Sequence, residues 1–354
     1  MFVPQRILFE KNVMEYDIAQ NIYNEFKDNK KIEIIDLSSN RIKQHIPGNN
    51  IYDFYRNGKN TLVVGTQKVS KFQTCKPSAH YQLPLLSGCI GHCQYCYLNT
   101  NLSDKPYVKI NVNIDDILSK AQGYIDERIP TSTIFEGSST SDPVPVEPYS
   151  NLLKKSIEFF ANSEHGRFRF VTKFADIDSL LNIEHNDKTE IRFTINTQKV
   201  RDNFEVRTAN INDRIDASIK AIKSYYPVGF IIAPVFIYDG WKDEYKQILF
   251  DLKNKLPSDL KHPLTFEVIS HRYTMKAKNI INQIFPDNTL PMTEEERTFK
   301  YGQFGYGKYV YPKEELNNLK EFFKTTIEEI FPNGKIKYII WFQIWFQLKK
   351  SFIL

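Results

Sequence analysis

The chain has 354 residues, enough to bury a full core in one or two domains. A charged share of 25% and a mean hydropathy of −0.44 describe a soluble globular chain, and four cysteines, three of them clustered, exclude a disulfide framework. The net charge of +5, with a pI of about 8.7, is compatible with nucleic acid without establishing it. Residues 1–5 lack the charged and apolar regions of a secretion signal, so a reducing cytoplasm is the expected compartment.

Residues 1–75 read as a small α/β extension, with a helix over 15–30 and strands over 31–37 and 61–65. Residues 68–81, with Pro77, are irregular and carry Cys75. From there strand and helix alternate. Strands are predicted over 81–86, 132–137, 167–172, 190–196, 229–236 and 263–270. Helices follow over 115–128, 149–162, 175–182, 213–225, 242–256 and 276–285. Six successive βα units imply parallel strands and right-handed crossovers, hence an α/β fold with a partial (β/α)6 TIM-like barrel over 76–286. Chemistry in such barrels gathers at the C-terminal ends of the strands. Residues 287–340 break the rhythm with a glycine-rich β-hairpin around Gly302–Lys308, a helix over 313–330 and a strand over 335–340. The tail 341–354 is apolar and then basic, too short to span a bilayer, and is read as an extension outside the chemistry.

The first predicted barrel strand leads into Cys89, Cys93 and Cys96, spaced C-x3-C-x2-C and followed by Tyr97. Three thiolates on a short loop can hold three irons of a [4Fe–4S] cluster and leave the fourth open. The open iron can take the amino and carboxylate groups of S-adenosylmethionine, and this spacing with its trailing aromatic points to radical S-adenosylmethionine chemistry. A zinc site completed by His92, Cys75 or His80 is the alternative, weakened because no second cysteine pair follows. Hydroxylic residues after the second strand, Ser141 among them, suit the cofactor's amino or carboxylate group. Lys173, at the end of the third strand, suits a carboxylate, and Thr194 and Asn196, at the end of the fourth, suit the adenosyl group. Cys75, the remaining cysteine, reads either as a small buried hydrophobe or as a hydrogen-atom donor, because a thiol S–H bond is weaker than most C–H bonds. Tyr95 and Tyr97 flank the last cluster cysteine and can relay a radical.

These residues resemble the spore photoproduct lyase family, radical enzymes that repair 5-thyminyl-5,6-dihydrothymine in spore DNA. The resemblance runs from Phe2-Val3-Pro4-Gln5 to about Ile340. It is carried by Lys76-Pro77-Ser78-Ala79, Gly91-His92-Cys93, Tyr95-Cys96-Tyr97-Leu98, Thr140-Ser141-Asp142, Arg169-Phe170-Val171-Thr172-Lys173, His271-Arg272 and Gly307-Lys308-Tyr309. It implies hydrogen abstraction from C6 of the lesion by a 5′-deoxyadenosyl radical, β-scission of the bond joining the thymines, and return of a hydrogen atom from a cysteine. Tyr95 and Tyr97 would then restore S-adenosylmethionine. Cofactor contacts map onto Ser141, Lys173, Thr194 and Asn196, with Tyr95 and Tyr97 beside them. The flipped lesion implies a hairpin wedge with contacts from Gln303, Phe304, Tyr306 and Lys308. Implied partners are double-stranded DNA carrying the lesion and a flavodoxin- or ferredoxin-type reductant. The implied location is the cytoplasm of the spore core, with no stable membrane association. Two departures stand out. Ser139 occupies the place of the family's usual donor cysteine, which leaves Cys75 as the candidate donor. Gln303-Phe304 stands where the family often has Arg-Tyr.

Overall fold

The computed structural model describes residues 1–39, 41–98, 106–137, 139–301 and 307–340. Its larger sheet takes parallel strands in chain order: Ala79–Gln82, Thr133–Glu136, Gly166–Thr172, Thr189–Ile195, Val228–Val235, Thr265–Ser270 and Lys335–Ile340. Each strand lies beside its successor, and crossovers of one hand carry such a sheet round into an open, partial barrel. Thr74–Cys75 adds an antiparallel edge beside Ala79–Gln82. The sequence pattern predicts six parallel strands and the structure has seven. The run at 335–340 is legible as a strand, but its partner Thr265–Ser270 is remote in sequence, so its place in the barrel is not a local property.

The predicted strand over 81–86 divides. Ala79–Gln82 stays in the barrel, whereas Leu86–Ser87 joins a second sheet. Pro84 falls between them and has no N–H to continue a ladder. The predicted helix over 175–182 is one 3-10 turn, Asp178–Leu180, because so short a segment needs tertiary packing to stay helical. The helix predicted over 149–162 breaks at Asn151, whose φ is 52°, into Glu147–Ser150 and Leu152–Ala161. Buried Glu147 caps the second piece by accepting from Leu153 N at 2.7 Å and Lys154 N at 2.9 Å.

The second sheet runs Glu33–Asp36, Arg6–Phe9, Thr61–Gly65, Val108–Asn111 and Leu86–Ser87, parallel except for the last. Helices Asp17–Phe26 and Ile51–Lys59 belong to the same N-terminal region. Arg6–Phe9 and Ile51–Lys59 are absent from the sequence reading. A four-residue apolar run is too short to separate strand from helix, and half of Ile51–Lys59 is polar. No helix among the described residues is long and apolar enough to cross a membrane. The tail at 341–354 lies outside the described residues.

Alternation along the barrel strands sorts the side chains. Phe135, Phe168, Phe170, Ile191, Phe193, Phe266 and Val268 belong to one continuous apolar core. The intervening Glu136, Arg169, Arg192 and Glu267 are all buried and pair with one another across the lumen. Arg192 holds Glu136 and also reaches Glu267 at 3.0 Å, while Arg169 holds Glu267 and lies 3.3 Å from Glu190. Tyr338, from the seventh strand, donates to Glu267. The lumen is therefore filled by an ion network in which each charge has an opposite partner, as buried charge requires, while the Nε atoms of Arg169 and Arg192 have no hydrogen-bond acceptor among the described residues. The expected chemistry sits above it, at the C-terminal ends of the strands.

Candidate active site

The cysteine loop follows Leu86–Ser87 and is fixed from three directions. Gly88 has φ +82°, and a Cβ there would lie 2.1 Å from the Tyr107 carbonyl oxygen, so only glycine makes this turn. Lys59, 1% exposed, donates to the carbonyls of Cys89 at 2.7 Å and Gly91 at 2.9 Å. His92–Cys93 pairs antiparallel with Glu205–Val206, and Gln94 N donates to Phe204 O at 2.9 Å. A Cβ on Gly91 would lie 3.5 Å from Cys89 Sγ and 3.8 Å from Cys93 Sγ, so these two sulfurs border the space beside Gly91.

The donor set fits an iron–sulfur cluster better than one metal ion. Among the described residues, no three His, Cys, Asp or Glu side chains gather closely enough to hold a single ion. Three cysteines that each bind a different iron need not converge on one point. His92 is turned away from that role. Its Nε2 faces Arg207 at 3.0 Å, and burial, with Arg207 and Lys59 adding, lowers its pKa to about 3. Burial pushes the Cys89 thiol up to about 12 and the Cys93 thiol higher still. Thiols in such a place become thiolates when a metal supplies the compensating charge.

A second node lies beside the loop. Glu205 is fully buried. Its Oε1 accepts from the Tyr95 hydroxyl and from Lys173 Nζ at 2.9 Å, and its Oε2 accepts from Arg214 at 2.7 Å. Burial opposes ionisation here, but Lys173 and Arg214 outweigh it and hold the carboxyl at about 2. Arg214 also donates to Thr194 O at 3.0 Å, which ties the fourth strand to the node. One residue thus locates Tyr95 and Lys173 through its carboxylate and Cys93 through its backbone. Two cations against one carboxylate leave a positive charge over.

Across the loop, Gly88 bridges to Ser141, and Gly88 N donates to Thr140 O at 3.0 Å. The Ser141 Oγ is buried and has no hydrogen-bond partner among the described residues, a polar atom awaiting a ligand. Asp142 accepts from Thr172 Oγ1 at 2.9 Å and Lys173 N at 2.8 Å, which fixes the ends of the second and third strands together. Tyr97 is half exposed and donates to Ser139 O. Asn196 is fully buried, and its side chain already serves Tyr245 at 2.6 Å, Pro234 O at 2.9 Å and Thr197 N at 3.0 Å.

Cys75 lies on the barrel's edge strand, paired with Ala79 and half-buried. Burial raises its pKa, while Arg192 and Arg169 of the lumen network pull the other way. It also adds to the electrostatic field on the Tyr97 phenol. Cys75 therefore lies within electrostatic reach of both the lumen network and Tyr97. The hairpin forms as expected from Thr298–Tyr301 and Gly307–Val310. Lys308 lies on it, half-buried, whereas Gln303, Phe304 and Tyr306 lie outside the described residues.

Four residues of this site, Glu205, Arg214, Lys59 and Arg207, were not singled out by the sequence. Glu205 lies between a short helix, Gln198–Phe204, and the next, Ile211–Lys223, with no motif around it. A charged residue at a core-facing position of a short strand is the only local signal, and the strand has two residues.

Comparison with known proteins agrees along nearly the whole chain. A sequence model of the family described as spore photoproduct lyase matches residues 2–340. The chain is 52% identical over 336 residues to the spore photoproduct lyase of Clostridium acetobutylicum, spanning 95% of this chain and 98% of that one. It is 44% identical over 337 residues to the Bacillus subtilis enzyme, again spanning 95% and 98%. A solved spore photoproduct lyase variant with bound AdoMet and dinucleoside spore photoproduct superposes with a TM-score of 0.92 at 41% identity, covering 96% of this chain and 99% of that chain. A spore photoproduct lyase complexed with the dinucleoside lesion superposes with a TM-score of 0.91 at 40% identity, with the same coverage.

Proposed function

Because this chain belongs to the spore photoproduct lyase family, we propose that the mouth of its barrel holds a [4Fe–4S] cluster and S-adenosylmethionine, and that there it returns 5-thyminyl-5,6-dihydrothymine in DNA to two thymines. The observation that carries this reading is the pairing of the cysteine loop with the partnerless Ser141 Oγ beside it. Bound there, the cluster and S-adenosylmethionine supply a 5′-deoxyadenosyl radical that takes the C6 hydrogen of the lesion. The chain's own side chains do the rest.

Cys89, Cys93 and Cys96 ligate three irons. Lys173, backed by Glu205, meets the cofactor's carboxylate, and Ser141 Oγ meets its amino or carboxylate group. Thr194 lies at the adenosyl side. Asn196 holds that wall through Pro234 and Tyr245 and keeps one amide N–H for the ligand. Tyr95 and Tyr97 border the same space. Once the bond between the thymines has broken, Cys75 gives its S–H hydrogen to the thymine radical and becomes a thiyl radical. The Tyr97 O–H would then give its hydrogen atom to that thiyl and become a tyrosyl radical, with Tyr95 next in line. Ser139 cannot take the donor role, since its O–H bond is too strong to give up a hydrogen atom to this radical.

Functionally, 1–75 is an N-terminal extension, 76–286 the catalytic barrel, 287–340 the DNA-binding hairpin with its helix, and 341–354 an appendage. Gln303, Phe304, Tyr306 and Lys308 are the proposed hairpin contacts to double-stranded DNA. A flavodoxin- or ferredoxin-type protein reduces the cluster, and the enzyme works in the spore core. The test is anaerobic repair of a lesion-bearing dinucleotide by reconstituted protein. Iron and sulfide near four each per chain, with thymine formed only when S-adenosylmethionine and reductant are present, is the expected result. A zinc protein without lesion turnover would defeat the reading.

A further inference from the structure

The hairpin base carries three cations: Lys308 is a proposed hairpin contact to DNA, and Arg272 and Lys300 have no task in the mechanism above. Three short segments lie side by side there. Thr298–Tyr301 pairs with Gly307–Val310, with Phe299 opposite Tyr309 and Lys300 opposite Lys308. On its other edge Tyr309 bridges Tyr273, with Tyr309 N donating to Tyr273 O at 2.8 Å and Tyr273 N to Tyr309 O at 3.2 Å. Side chains alternate between the faces of such a sheet. Phe299, Tyr309 and Tyr273 share one face, and their rings touch at centroid separations of 5.2 and 5.3 Å. Arg272, Lys300 and Lys308, each one position removed from an aromatic, fall on the other face. Lys300 and Lys308 are direct cross-strand neighbours, and Arg272 is diagonal to Lys308, within reach of long side chains.

All three cations are half-buried, and none has an ion-pair or hydrogen-bond partner among the described residues. Of the acids in this region, Glu294 is taken up by Tyr309 and Lys278 on the aromatic side, and Glu295 acts on Tyr273 and Tyr309. Burial, and then Arg272, lowers the pKa of Lys308, while Arg272 feels Tyr338 at the top of the lumen network. Arg272 follows Thr265–Ser270 by two residues, which puts this cluster next to the C-terminal end of a barrel strand. Like charges placed directly opposite one another destabilise a sheet unless an anion lies between them. A guanidinium and two ammonium groups on one face of a sheet match a phosphate, which accepts a forked pair from arginine and point contacts from lysine.

We propose that Arg272, Lys300 and Lys308 form a phosphate site that grips the phosphodiester joining the two thymidines of the lesion. The site rests on the lesion-repair reading and adds to it the part of the substrate that is held. Thymine rings enter the barrel mouth, and the backbone between them is clamped against the hairpin base. The site reads no base, so it works equally for any flanking sequence.

The test compares two ligands, the lesion as a dinucleoside and as a dinucleotide with its 3′,5′-phosphodiester, bound to the holoenzyme with S-adenosylmethionine but without reductant. Wild type is expected to favour the dinucleotide by about tenfold or more, the worth of a charged hydrogen bond. The ratio should fall toward one in Lys300→Gln/Lys308→Gln and in Arg272→Gln, and be largely kept in Lys308→Arg. A variant that merely loosens the hairpin weakens both ligands alike and leaves the ratio unchanged, and that outcome overturns the proposal. Equal binding of the two ligands by wild type also overturns it, while leaving the lesion-repair reading intact. Failure to bind either ligand defeats both.

Discussion

Glu205 and Glu267 are both buried carboxylates flanked by two cations and one tyrosine hydroxyl, and they differ in the charge around them. Glu267 shares Arg169 and Arg192 with two further carboxylates, Glu136 and Glu190. Its node has no cation to spare, and every guanidinium is spoken for. Glu205 faces Lys173 and Arg214 alone. Its carboxylate faces two cations, at the strand ends, where the proposed cofactor carboxylate would meet Lys173. The same local chemistry thus makes a scaffold in the lumen and a receptor at the mouth. The difference lies in the count of acids, not in burial, since both carboxylates are inaccessible.

The largest effect should come from the loop that the receptor node supports. Cys93→Ala is expected to abolish the cluster and with it all repair, read as loss of iron, sulfide and visible absorbance, with the far-ultraviolet circular dichroism retained. Full iron content in that variant would separate the node from the cluster. Next is the scaffold. Glu267→Ala removes the carboxylate that two buried guanidinium groups share, leaving Arg192 to Glu136 and Arg169 to Glu190, and should cost about 3 kcal/mol of stability, measured by denaturant unfolding of the apoprotein. Lys173→Met probes the receptor in the same terms. It should weaken S-adenosylmethionine binding by about tenfold or more while leaving iron content unchanged, because one charge-assisted contact is lost. If Lys173→Met were instead as destabilising as Glu267→Ala, the two nodes would be alike and the contrast would fail. The smallest effect is Gly91→Ala. Its Cβ meets Thr208 Cγ2 at 3.2 Å and Cys89 Sγ at 3.5 Å. That crowding should cost about 1 kcal/mol, seen as faster iron loss to a chelator.

What the sequence disclosed follows the same division between local and distant information. The cysteine spacing is local, so Cys89, Cys93 and Cys96 stood out at once as the candidate ligands. The strand–helix rhythm is local too, and it located Gly166–Thr172, Thr189–Ile195 and Val228–Val235 to within a residue or so at each end. Lys335–Ile340 was legible as a strand but not as a barrel strand, because its partner is set by the whole chain. Leu86–Ser87 and Val108–Asn111 pair across an intervening loop, and no periodicity announces that. The node residues were hidden for a related reason. Glu205 gains its meaning only when Lys173, Arg214 and Tyr95, from three other elements, close around it. Cys75 was legible as the one uncommitted thiol. Its place within electrostatic reach of both the lumen network and Tyr97 emerges only from the fold.

The claim most exposed to test is that Cys75 finishes the reaction in a chain that has Ser139 at the usual donor position. Product analysis of wild type and Cys75→Ala, acting anaerobically on the lesion-bearing dinucleotide in a single turnover, addresses it directly. Both proteins should consume the lesion, but only wild type should give clean thymine with S-adenosylmethionine restored, whereas the variant should release 5′-deoxyadenosine and radical side products. Clean thymine from Cys75→Ala at the wild-type yield would contradict the account.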